Sequence, residues 1–360
     1  MWFYKLLGFL TCALISSSIS SNVFEDRLDL AASMNDRAEL AQLFDVVNTG
    51  ERLIAVGVRG IIVISDNAGA NWRQVPVPVS SDLLAIDFPS PDKGWVVGHD
   101  GVILHSDDGG LSWSKQFDGR IAEEQLAEYF NELKRSGSQI REYFFEDVQL
   151  NYANGAEQAL LDVWFKDELV GYAVGSFGTI FATGDGGKTW DFWIDRVSSS
   201  QLLHLNEIDQ VGNKVLIASE RGLVFELDHK AKTFFPHETG YDGTLFNLVG
   251  LDETVVAFGL KGAAYRSEDA GGSWERISFP EAIVADAELV DGKVFVLSRT
   301  GEFFVSPDLK SEYVEPARNS GASASTGLTS FNGSLVTVGG NGIRIVDKKD
   351  ILKESKPSFD

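Results

Sequence analysis

The chain has 360 residues, of which 44% are hydrophobic and 23% are charged, a composition typical of a folded globular protein. Its 53 acidic and 31 basic residues give a net charge of −22 at neutral pH. This negative charge argues against binding to nucleic acid or to an anionic membrane surface, because both require a basic footprint. It favours solubility and would also suit a basic partner.

The first 20 residues have the pattern of a secretion signal peptide. Residues 1–5 carry one positive charge, residues 6–15 form an apolar run, and residues 16–20 supply small residues. We expect cleavage near Ser20, because the apolar run is short for the alternative, an uncleaved membrane anchor. Cleavage would remove Cys12, the single cysteine, and leave no disulfide or cysteine metal site. The prediction is an exported protein, periplasmic or otherwise extracytoplasmic.

After a lead-in at residues 21–42, one unit repeats along the chain: an apolar strand, a G-x-x-G turn or its relic, and a second apolar strand. Copies lie about 40 residues apart, with one longer interval, which is the spacing of four-stranded propeller blades. The sequence therefore predicts an all-β fold, a seven-bladed β-propeller over residues 43–355. The second glycines of the seven turns are Gly60, Gly101, Gly178, Gly222, Gly262, Gly301 and Gly342.

Individual strands can be located in several blades. Blade two has apolar runs at 83–88, 94–98, 102–106 and 112–117, separated by turns rich in proline, aspartate and glycine. Blade seven has three such runs, and its fourth strand could come from residues 351–354 or from the lead-in. We expect residues 23–30 of the lead-in to close the ring, because an open sheet edge invites aggregation.

The turn between the third and fourth strands carries a second motif, S/T-x-D-x-G-x-S/T-W, the Asp-box. We expect a structural role, in which the aspartate accepts from backbone N–H groups, the glycine supplies a positive φ and the tryptophan is buried between blades. A calcium site is the alternative, but each turn offers fewer oxygens than the roughly six to eight that calcium takes. The complete boxes contain Ser106, Asp108, Gly110 and Trp113; Asp185, Gly187 and Trp190; and Asp269, Gly271 and Trp274.

Residues 119–154 interrupt the repeat between blades two and three. Apolar residues recur at helical spacing in two stretches separated by residues 134–137, which predicts a helical hairpin. Connections from an outer strand to the next inner strand lie on the same face as the G-x-x-G turns. We therefore expect the insertion and these turns to share one rim, opposite the Asp-box turns.

Residues 97–113 follow the pattern V-G-x-R/D-G-x-I-x-x-S-D-D-G-G-x-S-W fully, and residues 56–72 follow it closely. With L-D-V-W-F at 161–165 and G-Y-A-V-G at 171–175, they resemble the photosystem II stability/assembly factor family, especially its non-photosynthetic bacterial branch. The resemblance covers residues 43–347 and implies a propeller of bacterial-neuraminidase-type (BNR) repeats that acts as an assembly or stability factor for a membrane protein complex. Photosynthetic members carry an arginine patch, and the basic residues at comparable loop positions here are Arg59, Arg221, Lys261 and Arg299.

We expect a monomeric protein-binding propeller with no catalytic site, no cofactor and no metal, acting on an envelope membrane complex. Arginine and aromatic residues are enriched at protein interfaces, and both types fall on the predicted rim. The aromatic residues could instead pack the insertion onto the propeller. The predicted docking residues are Arg59, Arg221, Lys261, Arg299, Phe130, Tyr143, Phe144 and Phe145.

Two other functions remain open. An Asp-box glycoside hydrolase needs two facing carboxylates, and Asp100, Glu220 and Glu302 lie near blade loops. However, the chain has no R-I-P motif of the sialidase type; its nearest relic is at residues 276–278. The second is a propeller that binds carbohydrate or a small ligand without catalysis.

Overall fold

The computed structural model describes residues 25–136, 142–152, 155, 157–199, 201–311, 313–317 and 324–354. Within these residues the strands form seven antiparallel sheets, each built from strands that are consecutive in the chain. Six of these sheets have four strands and the seventh has three. The predicted seven-bladed β-propeller with a helical insertion is confirmed.

The strands of the first four blades have the following bounds. Blade one contains β1 Leu43–Asn48, β2 Leu53–Gly57, β3 Ile62–Ser65 and β4 Arg73–Gln74. Blade two contains β5 Leu83–Asp87, β6 Gly94–Gly98, β7 Ile103–Ser106 and β8 Ser114–Phe117. Blade three contains β9 Leu160–Phe165, β10 Gly171–Gly175, β11 Ile180–Thr183 and β12 Asp191–Phe192. Blade four contains β13 Leu205–Val211, β14 Lys214–Ser219, β15 Leu223–Asp228 and β16 Thr233–Glu238.

The remaining blades and the α-helices complete the chain. Blade five contains β17 Leu245–Leu251, β18 Thr254–Gly259, β19 Ala264–Ser267 and β20 Glu275–Arg276. Blade six contains β21 Val284–Val290, β22 Lys293–Ser298, β23 Phe303–Ser306 and β24 Val314–Ala317. Blade seven contains β25 Ser325–Phe331, β26 Ser334–Gly339 and β27 Arg344–Asp347. The helices are α1 Gly119–Arg135, α2 Glu142–Leu150 and α3 Lys348–Glu354.

The second strand of each blade is deeply buried. Every residue of β2, β6, β10 and β18 is buried. Neighbouring blades cover both faces of these strands, so their sequences are continuous apolar runs rather than alternating ones.

A hydrophobic cluster lies at each seam, the interface between two neighbouring blades. Ile54 and Val96 belong to the cluster between blades one and two, and Ala55 and Val336 belong to the one between blades seven and one. The other five seams are filled in the same way. The core is therefore a ring of apolar layers, each of which needs both of its blades.

Packing and side-chain hydrogen bonds join blade seven to blade one. The Asn48 side-chain amide donates to the Ser330 carbonyl at 2.8 Å, and the Thr326 hydroxyl donates to the Leu43 carbonyl at 2.9 Å. Residues 351–354, one expected source of a fourth strand, instead lie in α3. The segment K-K-D-I-L-K-E consists mostly of good helix formers and lacks the alternation of a strand, which accounts for this difference.

The lead-in crosses blades one and two instead of pairing with blade seven. The Ala32 N–H donates to the Val77 carbonyl at 3.0 Å. The Arg120 guanidinium forms a bidentate pair with Asp29, at 2.7 and 2.9 Å. Residues 25–34 are thereby tied to blade one and to the start of α1.

Residues 38–42 reach the seam between blades seven and one, where the Ile343 N–H donates to the Glu39 carbonyl at 3.1 Å. The lead-in thus supplies a connector at this seam rather than a strand, which differs from the expected path for residues 23–30. Residues 23 and 24 lie outside the described part of the chain. The physical reason for the path is Leu28, which is only 2% exposed and packs into the cluster between blades one and two.

Replacing Leu28 with alanine is expected to lower the free energy of unfolding by about 2–3 kcal/mol, as buried leucine truncations do. Denaturant unfolding of the full chain measures this. The matched control is Leu30→Ala, because Leu30 is exposed on the same segment and its truncation should cost less than about 0.5 kcal/mol. Equal stabilities of the two variants would mean that the lead-in does not hold the blades together.

Helix α1 begins beside the G-x-x-G turn of blade two. The Asp118 carboxylate caps it by accepting from the Arg120 N–H at 2.9 Å and the Ile121 N–H at 3.2 Å. Leu126 and Phe130 are buried in the cluster between blades two and three. Across the described residues, no helix is both long and apolar enough to cross a membrane.

Candidate docking face

The Asp-box turns have the hydrogen bonds expected of a structural motif. The Asp108 carboxylate accepts from the N–H groups of Leu111 and Ser112 at 3.0 and 2.9 Å, and from two hydroxyl groups. In blade five, hydrogen bonds from the Ser267 and Ser273 hydroxyls lower the pKa of Asp269 to about 2. The carboxylate oxygens are thus occupied by their own turns.

The box tryptophans lie at seams, but not all are equally buried. Trp113 and Trp190 are 8% and 5% exposed, between blades one and two and between blades two and three. Trp274 is only half-buried at the edge of the cluster between blades four and five, which corrects the expectation for this residue. Its indole N–H donates to the Gly271 carbonyl at 2.9 Å.

The opposite face carries the G-x-x-G turns, and its geometry explains the repeated glycine. The connector to the next blade passes directly over this position. A Cβ at Gly60 would lie 2.1 Å from the Val79 carbonyl oxygen, and one at Gly342 would lie 2.0 Å from the Glu39 carbonyl oxygen. We call this face, with residues 25–42 and the insertion, the turn rim.

In five blades the residue before that glycine has a left-handed backbone conformation, and its side chain projects from the turn. Its φ is 55° at Arg59, 58° at Arg221 and 54° at Lys261, whereas Asp100 and Phe177 hold the position in blades two and three. The basic side chains therefore belong to blades one, four, five and six, counting Arg299 of blade six, and do not form a complete ring.

The four basic residues of the turn rim, Arg59, Arg221, Lys261 and Arg299, are exposed. None of them forms an ion pair with another residue in the described ranges. Some cations elsewhere are paired, such as Arg52, which lies 2.8 Å from Asp66. The rim cations thus keep their charge available in a protein of strongly negative net charge.

The predicted aromatic residues of the insertion do not join this surface as a group. Phe130 is only 3% exposed and packs onto the propeller, so its predicted docking role requires correction. Phe145 is half-buried and its ring contacts that of Phe130 at 4.4 Å. The side chains of Tyr143 and Phe144 lie outside the described residues. An amphipathic helix needs apolar residues to pack against the rest of the protein. The sequence pattern alone does not distinguish aromatic residues that serve this packing from aromatic residues that bind a partner.

Sequence reasoning missed several apolar residues of the turn rim. Leu30 and Met34 are exposed and, with Arg27 and Arg59, line a groove of about 520 Å³ beside the turn of blade one. Phe177 of blade three is also exposed. Phe177 occupies the same position of the G-x-x-G motif as Arg59, and this position could have indicated from the sequence that Phe177 is exposed on the turn rim. Leu30 and Met34 lie outside the repeat and gave none.

The carboxylates considered for a hydrolase have local hydrogen-bond partners in three different blades. Asp100 accepts from the Ser81 hydroxyl at 2.6 Å, and Glu220 accepts from the His204 N–H at 2.9 Å. Glu302 accepts from the hydroxyl of Thr300 at 3.0 Å. The described geometry therefore gives each carboxylate a role in fixing a turn or a connector.

A second set of acidic residues lies on the inner strands around the central axis. Five of their carboxylates accept a hydrogen bond from a backbone N–H of the next blade, at 2.6–3.0 Å. In each case one side chain bridges a seam where the strands of two sheets cannot pair directly. We call these residues the axial carboxylates: Asp45, Asp87, Asp162, Glu207 and Asp286.

Burial raises the pKa of every axial carboxylate. The pKa rises to about 6 at Asp45 and to about 7 at Asp87 and Asp286. At Asp162 and Glu207 burial, together with nearby carboxylates, raises the pKa well above its ordinary value. These side chains are only partly exposed, and burial disfavours the charged form of a carboxyl group.

Comparison with known proteins identifies the family. The family model described as "Photosynthesis system II assembly factor YCF48" matches residues 64–140 and 138–356. The chain is 27% identical over 240 residues to "Photosystem II assembly lipoprotein Ycf48" of Synechococcus sp. (strain CC9902), covering 61% of this chain and 70% of the relative. It is 40% identical over 74 residues to "Photosystem II stability/assembly factor HCF136, chloroplastic" of Cyanidioschyzon merolae, 20% of this chain and only 17% of that relative.

Solved structures share the fold. "YCF48 bound to D1 peptide" has a TM-score of 0.61 at 16% identity, covering 88% of this chain and 96% of that one. "YCF48 from Cyanidioschyzon merolae" has a TM-score of 0.59 at 15% identity, covering 86% and 96%. The family model spans most of the propeller, in agreement with the resemblance seen in the sequence. The chain therefore belongs to the family of the photosynthesis system II assembly factor YCF48.

Proposed function

We propose that this chain is an exported, non-enzymatic assembly or stability factor that binds a polypeptide segment of a membrane protein complex on its turn rim. The observation that carries the proposal is the set of exposed, unpaired cations on one face of a protein with a net charge of −22. Exposed apolar side chains lie beside them, including Phe177 and Leu260. Such a surface suits a segment that combines carboxylates with apolar residues.

The family supports this proposal. Relatives are named as photosystem II assembly proteins, and one solved relative holds a peptide named D1. The apolar run at residues 6–15 supports export, as does the lipoprotein named among the relatives. The local hydrogen bonds of Asp100, Glu220 and Glu302 support a role without catalysis.

Site-specific crosslinking tests which face meets the partner. Cys12 is the single cysteine and lies in the predicted signal peptide, so a new cysteine in the exported chain carries a unique photocrosslinker. Thr300→Cys places the crosslinker on the turn rim, and Lys188→Cys places it in the Asp-box turn of blade three. We expect a membrane-protein segment, identified by mass spectrometry, on the first variant only. Crosslinks confined to the second would assign docking to the Asp-box face.

The ligand for the next test is a synthetic peptide with the sequence of the crosslinked segment. Reversing two rim charges, with Arg59→Glu and Arg221→Glu, is expected to weaken binding of this peptide at least tenfold, or roughly 1.4 kcal/mol. The melting temperature should stay near that of the wild type, because exposed charges contribute only about 0–1 kcal/mol to stability. Binding should also weaken with salt, which screens exposed charges beyond about 8 Å at physiological ionic strength. Titration calorimetry at two salt concentrations measures both effects.

The matched control for the double variant is Lys188→Glu with Arg276→Glu, which makes the same change in net charge. Both residues are exposed and lie away from the turn rim, in an Asp-box turn and in β20. This control should bind the peptide as the wild type does. Equal weakening in both double variants would show a general charge effect, and no weakening in the rim variant would refute rim docking.

A further inference from the structure

The hairpin between the third and fourth strands of blade four has the same number of residues as an Asp-box hairpin but lacks the Asp-box residues. The strand pairs that flank these turns are equivalent, Ala182 with Asp191 in blade three and Glu226 with Phe235 in blade four. Counting from these pairs places His229 where a box has its aspartate. In blade four, however, the pairing continues to Asp228 with Thr233, so the turn is tighter than an Asp-box and has an imidazole at the position counted as the box carboxylate.

The same count places Phe234 where a box has its tryptophan. Phe234 is buried and meets the ring of Tyr172 edge-on at 5.9 Å. Beside this hairpin a cavity of about 390 Å³ opens between blades three and four. The rings of Tyr172 and Trp193, 5.2 Å apart, form part of its wall.

Three basic side chains line this cavity. The Arg196 guanidinium lies 4.7 Å from the centre of the Trp193 ring, which holds it in place. His229 and Lys232 reach the cavity from blade four. None of the three forms an ion pair in the described ranges, and Asp191 is the one carboxylate among the described lining residues.

The carboxylates adjacent in sequence are engaged elsewhere. Asp195, next to Arg196, accepts a hydrogen bond from the Tyr129 hydroxyl of the insertion. Asp228, next to His229, accepts from the N–H groups of Lys230 and Ala231 at 2.8 and 2.9 Å. Asp191 is thus the one described carboxylate at the cavity beside the charges of Arg196 and Lys232, in a chain where acidic residues outnumber basic ones 53 to 31.

We propose that this seam cavity binds a small organic anion, whose carboxylate or phosphate group meets Arg196, Lys232 and His229 and whose planar or apolar body lies against Tyr172 and Trp193. Cations paired with oxyanions form the stronger class of hydrogen bonds, and aromatic walls favour a flat ligand. The cavity volume lies within the range of about 300–1,000 Å³ usual for small-ligand sites. The site belongs to the Asp-box side of the propeller and is independent of docking on the turn rim.

Three phenyl compounds test the proposal with the whole exported chain: benzoate, phenyl phosphate and neutral benzamide. Saturation-transfer NMR at low ionic strength detects weak binding, and titration gives the affinities. We expect at least one of the two anions to bind and benzamide to bind at least tenfold more weakly. A preference for benzoate or for phenyl phosphate distinguishes a carboxylate ligand from a phosphate ligand.

Two variants locate the binding. Arg196→Gln and Lys232→Gln should each weaken binding of the preferred anion at least fivefold, whereas Arg276→Gln, which removes an exposed charge in blade five, should leave it unchanged. Lys232 is exposed, so its variant keeps the test valid even if loss of Arg196 disturbs the packing of Trp193. Failure of both anions to bind, equal binding of benzamide, or wild-type affinity in the Lys232 variant would each overturn the proposal.

Discussion

Replacing Trp113 with alanine is expected to lower the free energy of unfolding by about 3–5 kcal/mol, the usual cost of removing a large buried aromatic side chain. The indole lies between blades one and two and meets the Phe88 ring edge-on at 6.0 Å. Its N–H donates to the Gly110 carbonyl at 3.2 Å. The truncation would therefore open a cavity at a seam and leave this carbonyl without its partner.

Denaturant unfolding measures the effect, and residues of the same turn supply the controls. Leu111 is exposed, so Leu111→Ala should change stability by less than about 0.5 kcal/mol. Asp108→Ala should cost about 1–2 kcal/mol, because its hydrogen bonds lie at the surface and each contributes modestly. A Trp113→Ala variant as stable as the Leu111→Ala variant would show that the box tryptophan does not hold the two blades together.

The second large effect is a loss of stability as the pH rises from 5 to 7. At Asp45, Asp87 and Asp286 burial raises the pKa to about 6, 7 and 7, whereas carboxyl groups of an unfolded chain titrate near about 4. Between these values the folded state binds more protons than the unfolded state, so its stability falls with rising pH. Each group contributes at most about 1.4 kcal/mol per pH unit in this interval.

Denaturant unfolding of the wild type and of Asp286→Asn at pH 5, 6 and 7 tests this prediction. Asparagine keeps an acceptor for the Leu328 N–H but cannot ionise, so the variant should lose less stability over this range. The control is Asp228→Asn, because backbone hydrogen bonds from Ala231 and Lys230 lower the pKa of Asp228 and it titrates below the range. A wild type that becomes more stable from pH 5 to pH 7 would contradict the assignment.

The sequence by itself determined the blade count and the two kinds of turn. Each depends on a backbone requirement that recurs at a fixed place in the unit: Gly60 where a connector passes, and Asp108 where a turn needs acceptors for its N–H groups. Such requirements recur at a regular interval along the chain, so they can be read from spacing alone. Membership in the assembly-factor family followed from the same units.

Only the tertiary structure decided which side chains are available for binding. Phe130 and Phe145 have similar sequence surroundings, but Phe130 of α1 is buried in the cluster between blades two and three, whereas Phe145 of α2 packs at its edge and is half-buried. The path of the lead-in depends on where Leu28 finds a pocket, between blades one and two. These outcomes rest on contacts between residues far apart in the chain, and no repeat period records such contacts.

The cavity between blades three and four was hidden for the same reason. No Asp-box is present in the sequence of blade four, residues 227–234, and Tyr172 and Arg196 belong to blade three and its following turn. They meet His229 only because the ring brings the two blades together. The residues of the turns thus specify the blades of this protein. Packing between neighbouring blades decides which side chains are exposed and which cavities form.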